Sequence, residues 1–307
     1  RMLKYTLKRL FQLVIMLLIL TIVVFAIVRV IPGDPASAML GPSATHAQIL
    51  AERERLGLND PLWVQYERFM SELFHGDLGT SIDTKKPVAY ELGRRFPYTI
   101  QLALGATLVA SFFGILFGII SAVRHNKLSD NVIMVTSLVS VSMPSFFFAL
   151  LLMLLFSIHL RWLPTIGLES WKHYIMPVIT LSLPTIGYIA RTTRSAMLDV
   201  INLDYIRTSR ARGIPQGKII FSHALKNAII PVLTAIGLYF GGLLAGSTIT
   251  ETVFSINGIG RFLVTSVQQR DYPAIQGSIL VLATIFAVVN TVVDLLYGLV
   301  DPRIKYD

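Results

Sequence analysis

Few residues of this 307-residue chain stand in patterns that do chemistry. The closest approach to a nucleotide site is Gly213 to Lys218, GIPQGK, where glycines and a lysine could cradle phosphates. That run is one residue short of a phosphate loop, continues with Ile219 where a hydroxyl should reach magnesium, and follows no strand. It is read as no ATP site. The six histidines, His46, His75, His125, His159, His173 and His223, form no HExxH pair, and cysteine is absent, so neither a zinc site nor a disulfide is expected. No GxSxG elbow marks a nucleophile. Asp294 follows Asn290 by one helical turn near the inner end of the last apolar run, where an interfacial ion pair is expected rather than transport chemistry. The chain is therefore expected to be catalytically inert, with no cofactor or metal of its own.

The elements around these residues are membrane spans. The composition is 53% hydrophobic and 15% charged with mean hydropathy +0.63, too apolar for a soluble domain of this length. Six stretches lack Asp, Glu, Lys and Arg: Leu10 to Val28, Phe96 to Val123, Asn131 to Leu160, His173 to Ala190, Asn227 to Thr250 and Tyr272 to Val293. Each is long enough to cross the hydrocarbon core as a helix. With the N-terminus cytoplasmic, the inner segments hold 15 Lys or Arg, the two short outer loops four and the long outer segment eight. This bias predicts cytoplasmic N- and C-termini, because long outer segments count little toward orientation. The net charge of +9 is then expected to face anionic lipid, not nucleic acid. Arg1 precedes Met2, the expected natural start. Ala36-Ser37-Ala38 imitates a signal cleavage site, but the first apolar run is long for a signal core and is expected to stay as a true span.

Within this frame, Asp60 and Pro61 start an outer helix bearing Leu62, Tyr66, Phe69, Met70, Leu73 and Phe74 on one face. Its apolar face is expected either to cap the bundle or to dock a soluble partner. Gly114 and Gly118 in the second span, and Gly237, Gly241, Gly242 and Gly246 in the fifth, are spaced for close helix contacts. Pro144 interrupts the third span, and Pro177 and Pro184 lie on one face of the fourth. Such breaks are favoured beside a water-filled path, so Ser140, Ser142, Pro144, Ser145, Thr180, Ser182 and Pro184 are candidate translocation-path residues, with ordinary packing kinks as the alternative.

The polar interval Asp204 to Pro231, DYIRTSRARGIPQGKIIFSHALKNAIIP, carries five cations and one anion. It reads as a short exposed helix between two spans, stopped at Gly213 before Pro215 and Gly217. This pattern resembles the EAA loop of binding-protein-dependent ABC importer permeases, in the form of their di- and oligopeptide branch. The family's glycine falls on Gly213, while its Glu-Ala-Ala triplet falls on Arg207, Thr208 and Ser209, so the acidic residue is absent. The later Leu-Pro of the family falls on Leu225 and Lys226, a second departure that peptide-type members share. IPGDP at Ile31 to Pro35, the segment Leu56 to Ile82 and DPRI at Asp301 to Ile304 extend the likeness over nearly the whole chain.

The resemblance implies an all-α type I importer permease: one domain over residues 1–307, with 1–95 forming the first span and outer insertion and 96–307 the core with its loop at 204–231. It implies that Tyr205, Ile206, Arg207, Thr208, Ser209, Arg210, Arg212, Gly213 and Ile214 couple the chain to a cytoplasmic ATPase. The partners implied are a second homologous permease, two ABC ATPases that hold ATP and magnesium, an extracytoplasmic binding protein and membrane lipid. The location implied is the bacterial inner membrane. Peptides or a peptide-like solute such as glutathione are the expected cargo, with nickel chelates or opine-like solutes as the alternative within the family. A secondary transporter would need ionisable groups near mid-membrane, and a membrane-embedded hydrolase would need convergent Asp, Ser or His.

Overall fold

The computed structural model describes residues 2–30, 34–41 and 43–300. Ile31 to Gly33 of IPGDP and all of DPRI lie outside the described residues. Helix α1 (Met2–Val30) is followed by α2 (Pro35–Leu40), α3 (His46–Arg55) and α4 (Leu62–Phe74), then by α5 (Val88–Val123) and α6 (Leu128–Ser142). Next come α7 (Ser145–Leu152), which widens into a π-helical turn over Met153–His159, α8 (Lys172–Ile201) and α9 (Asp204–Ala211). A short α10 (Gln216–Lys218) passes through a second π-helical turn (Ile219–Ala224) into α11 (Leu225–Gly246). Two small helices, α12 (Thr248–Val253) and α13 (Ile259–Gln269), precede the final α14 (Tyr272–Val300).

Among the described residues, five helical runs are long and apolar enough to cross a bilayer: Tyr5–Val30, Val88–Val123, Lys172–Ile201, Gln216–Gly246 and Tyr272–Leu296. The expected third span is instead two helices, α6 and α7, bent by 104°. Pro144 causes the break: it has no N–H to give α6, and it holds Met143 in extended backbone at φ −79°, ψ 127°. Pro177 and Pro184, by contrast, sit inside α8 without ending it.

Helix direction shows that the bent pair still returns the chain across the bundle. A Cβ on Gly105 would meet Val178, one on Gly114 would meet Ile189 and one on Gly118 would meet Thr193, so α5 and α8 run parallel. Two parallel neighbours require the segment between them to come back. Gly237 abuts Val293 and Gly241 abuts Asn290, which makes α11 and α14 antiparallel. On the last helix, Asp294 accepts Arg9 of α1 at 2.9 Å, the ion pair expected for it, and its carbonyl accepts the Tyr5 hydroxyl. The start of α1, the end of α14 and α9 therefore share one face of the bundle. Outward, α1 shows Leu7, Phe11, Val14, Ile19 and Ile22 to its surroundings, a surface suited only to lipid.

On the opposite face α4 leans on the end of α1. Phe25 packs edge-on against Tyr66 at 5.2 Å and against Phe69 at 5.9 Å, and Thr21 shares a 2.8 Å hydrogen bond with the Tyr66 hydroxyl. The apolar face read from the sequence thus caps the first span, while Leu62, Trp63 and Phe74 remain exposed. The α12–α13 hairpin is organised by Glu251, fully buried, whose carboxylate accepts Thr99 Oγ1 at 2.8 Å, Ser247 Oγ at 2.7 Å and the Arg261 N–H at 3.0 Å. A charge out of water persists only with such partners.

Two outcomes test this arrangement. The chain has no cysteine, so single cysteines at Ala47 and Gln268 should react with a membrane-impermeant thiol reagent from one side and a cysteine at Lys127 from the other; labelling of all three from one side would break the topology. A methyl at Gly118 would lie 2.4 Å from Thr193 Cβ, whereas Gly246 has nothing within 4 Å. Gly118→Ala should accordingly lose about 1–3 kcal/mol by overpacking, read as a lower melting point in detergent, and Gly246→Ala should not shift it.

Candidate functional site

The short helix α9 starts at Leu203, whose extended backbone (φ −73°, ψ 150°) turns the chain out of α8. Asp204 stands in its first turn and Arg210 in its last, each matched to the helix dipole. Gly213 closes it at φ +71°, a left-handed conformation that glycine adopts without penalty. Its N–H donates to Arg210 O at 3.0 Å and that of Ile214 donates to Ser209 O at 3.3 Å, the paired bonds of a Schellman stop. A Cβ at Gly213 would meet nothing within 4 Å, so the requirement there is torsional and not one of space.

One side of α9 is bound into the bundle. Ile206 is fully buried with Ile119, Ala122, Met197, Ile219 and Ala224, and Ile214 packs against the same cluster half-buried. Ser209 is also buried and donates to Tyr205 O at 2.8 Å. Tyr205 is tied to the following segment, its hydroxyl accepting Asn227 Nδ2 at 2.8 Å and donating to His223 O at 3.3 Å. The remaining residues read from the sequence, Arg207, Thr208, Arg210, Arg212 and Gly213, are exposed. Of the nine, then, Ile206, Ser209 and Ile214 set the height and angle of the helix, and the others form its outward surface.

The end of α8 that carries this helix is anchored by a cluster the sequence did not single out. Asp130, 1% exposed at the start of α6, receives Arg194 Nε at 2.7 Å and Arg194 Nη2 at 2.8 Å, a two-pronged ion pair. Its carboxylate also accepts Ser121 Oγ and the Asn126 N–H, and His125 lies 3.3 Å away. The end of α5, the turn after it and the last part of α8 are thereby fixed to one another about two turns before α8 ends.

The candidate path residues do not gather at one opening. Thr180 and Ser182 are buried, and Thr180 bonds its own helix at Met176 O. Ser140 donates to Ser137 O and abuts Gly187, a contact between α6 and α8. Ser142 and Pro144 are exposed at the break in the third span, with Ser145 and Pro184 half-buried. A cavity of about 460 Å³ instead opens beside the α9 face, lined by Thr192, Ser195, Asp199, Asn227 and Pro231. On the other face, a cavity of about 470 Å³ lies between the insertion and α14, with Arg29, Arg53, Glu72, Asp77 and Tyr272 on its walls.

The fold is a bundle of membrane-crossing helices that presents one short cationic helix beyond its spans. The chain belongs to the family of binding-protein-dependent transport system inner membrane components, whose model matches residues 114–306, while the model of that family's N-terminal region matches residues 2–103. It is 44% identical over 305 residues to the glutathione transport system permease protein GsiC of Salmonella paratyphi A, covering 99% of this chain and 100% of that one. It is 45% identical over 333 residues to the dipeptide transport system permease protein DppB of Alkalihalophilus pseudofirmus, again covering 99% and 100%. Among solved structures, the inward-facing MetNI methionine ABC transporter matches with a TM-score of 0.54 at 18% identity, over 69% of this chain and 97% of that one, a likeness of fold. The chain is thus an ABC importer permease, a multi-pass protein of the bacterial inner membrane.

Removing the Asp130 charge would leave Arg194 half-buried without its partner. Asp130→Ala should destabilise the chain by about 3 kcal/mol, the low end for a broken buried pair because Arg194 keeps some access to water. The Asp130→Ala/Arg194→Ala double variant should be less damaged than the two single losses summed, and strict additivity in thermal unfolding would remove the anchor.

Proposed function

We propose that this chain is one of two permease subunits that together import peptides or a peptide-like solute such as glutathione. ATP and magnesium are held by two partner ATPases, an extracytoplasmic binding protein delivers the cargo, and this subunit performs no catalysis. The α9 face is cytoplasmic, and both termini lie on that side. The observation that carries this reading is α9 itself: its inner side is locked into the bundle through Ile206 while Arg207, Arg210 and Arg212 are exposed toward a partner. Support for the cargo comes from relatives named for glutathione and dipeptide transport.

The mechanism follows from stiffness. A helix of eight residues stopped at both ends transmits displacement instead of absorbing it, so closure of the ATPases moves α8 and α11 as levers. Arg194 and Asp130 pass that movement to α5 and α6. The spans then alternate between outward and inward openings around the cargo.

The test is Gly213→Val in a complex reconstituted with its ATPases and binding protein. A β-branched residue resists φ +71°, which should unwind the last turn of α9. ATP hydrolysis should lose most of its dependence on the loaded binding protein, and uptake of a labelled dipeptide or of glutathione should fall about tenfold, equivalent to about 1.4 kcal/mol of lost coupling. Wild-type stimulation and uptake in that variant would remove α9 as the coupling element. Failure of the unaltered complex to take up either solute would remove the cargo class.

A further inference from the structure

Among the membrane-crossing helices, α8 carries a polar stripe on an outward face. Down α8, residues Tyr188, Arg191, Thr192, Ser195 and Asp199 recur three and four apart on a face that is exposed or half-buried. The exposed residues of α1 from Val14 to Ile27 are Val, Ile, Met, Leu and Ala, as lipid requires. A stripe carrying a guanidinium cannot face acyl chains and must border water or protein. It runs toward α11, because Tyr188 lies against Tyr239 with ring centroids 4.5 Å apart. Toward the α9 face it opens into the cavity of about 460 Å³ lined by Thr192, Ser195 and Asp199.

Arg191 is the unexplained member. It lies about 28 Å from the start of α8 and one turn before Arg194, within the length that spans the membrane. Arg194 is paired with Asp130, yet Arg191 enters no ion pair among the described residues. Its Nε is buried and has no hydrogen-bond partner there. Tyr239 is within its electrostatic reach. A buried guanidinium N–H left unmade is costly, and a planar fork of donors fits a carboxylate in two-pronged geometry. Two tyrosine rings beside it supply walls that exclude water and strengthen such a bond.

We propose that Arg191, with Tyr188 and Tyr239, forms a carboxylate-binding station on the translocation route, which receives the free C-terminal carboxylate of the passing solute. This rests on the import of peptide-like solutes proposed above and adds where in the membrane their charge is held. A solute released from its binding protein must shed water from a carboxylate to cross a narrow apolar bundle. Arg191 offsets that desolvation toward the inner end of the route and hands the solute to the cavity at the α9 face. Asp199, two turns further on, disfavours an anion there and so favours its release inward.

The test compares the unaltered complex with Arg191→Gln and Arg191→Lys in proteoliposomes, with the binding protein saturated by a dipeptide or by the same dipeptide amidated at its C-terminus. In the unaltered complex the free acid should be imported at least about five times more per ATP than the amide. In Arg191→Gln the stimulation of ATP hydrolysis by loaded binding protein should stay within about twofold, import of the free acid per ATP should fall about tenfold, and the preference over the amide should vanish. Arg191→Lys should recover most of both. The station is overturned if the Gln variant keeps the acid-to-amide ratio, if its ATP stimulation collapses together with uptake, or if Lys and Gln behave alike. Absence of any binding-protein-dependent uptake in the unaltered complex would remove the station and the import reading together, whereas the other failures leave import standing.

Discussion

The carboxylate of Asp130 sits 1% exposed between the turn that ends α5 and the guanidinium of Arg194 on α8. Two charges so placed hold only while each satisfies the other and the surrounding donors are used up, which Ser121 and the Asn126 N–H accomplish. The consequence is geometric. Helices α5 and α8 already touch along Gly105, Gly114 and Gly118, and small residues permit that approach without fixing its register. The ion pair supplies the register. With it, α8 leaves the bundle at one defined height, and α9 inherits that height.

Beyond this anchor the design separates rigidity from contact. Ile206, buried among Ile119, Met197 and Ile219, attaches α9 to three different elements, so the helix cannot tilt without disturbing all of them. The arginines on its other side make no comparable attachment; Arg207 reaches only Asp204, at 3.7 Å, with both side chains well exposed. Exposed pairs of that kind contribute little to stability, which leaves these cations available for binding. The far face follows the same economy, with Glu251 spending its charge wholly on fixing the α12–α13 hairpin against Thr99.

Much of this was legible in the sequence because its signals are local. Five of six charge-free runs became long helices, Gly213 before Ile214 and Pro215 marked a left-handed stop, and Asp294 found a cation at the membrane edge. What escaped depends on distant partners. Charge-free windows underestimated α5 and α8, since Glu91 pairs with Arg95 and Arg194 with Asp130, and paired charges can stay inside a continuing helix. Nothing local marks Glu251, whose partner Thr99 lies 152 residues away. Pro144 was visible, but proline alone does not distinguish the 104° break at α6 and α7 from the unbroken course of α8 through Pro177 and Pro184. The polar residues of α8 from Tyr188 to Asp199 keep helical spacing in the sequence itself, a stripe no lipid-facing helix should have.

The contact between α1 and α14 has a consequence for how the chain is made. Tyr5 and Asp294 meet across 289 positions, so α1 finds this partner only when α14 arrives. Until then α1 persists with α4 against its outer end and no neighbouring span, which its charge-free run allows, since a helix satisfies its own backbone in lipid. Assembly is therefore completed by a ring closure in the plane of the bilayer. A ribosome that stops short of α14 leaves α1 inserted and helical, with only α4 to hold its outer end.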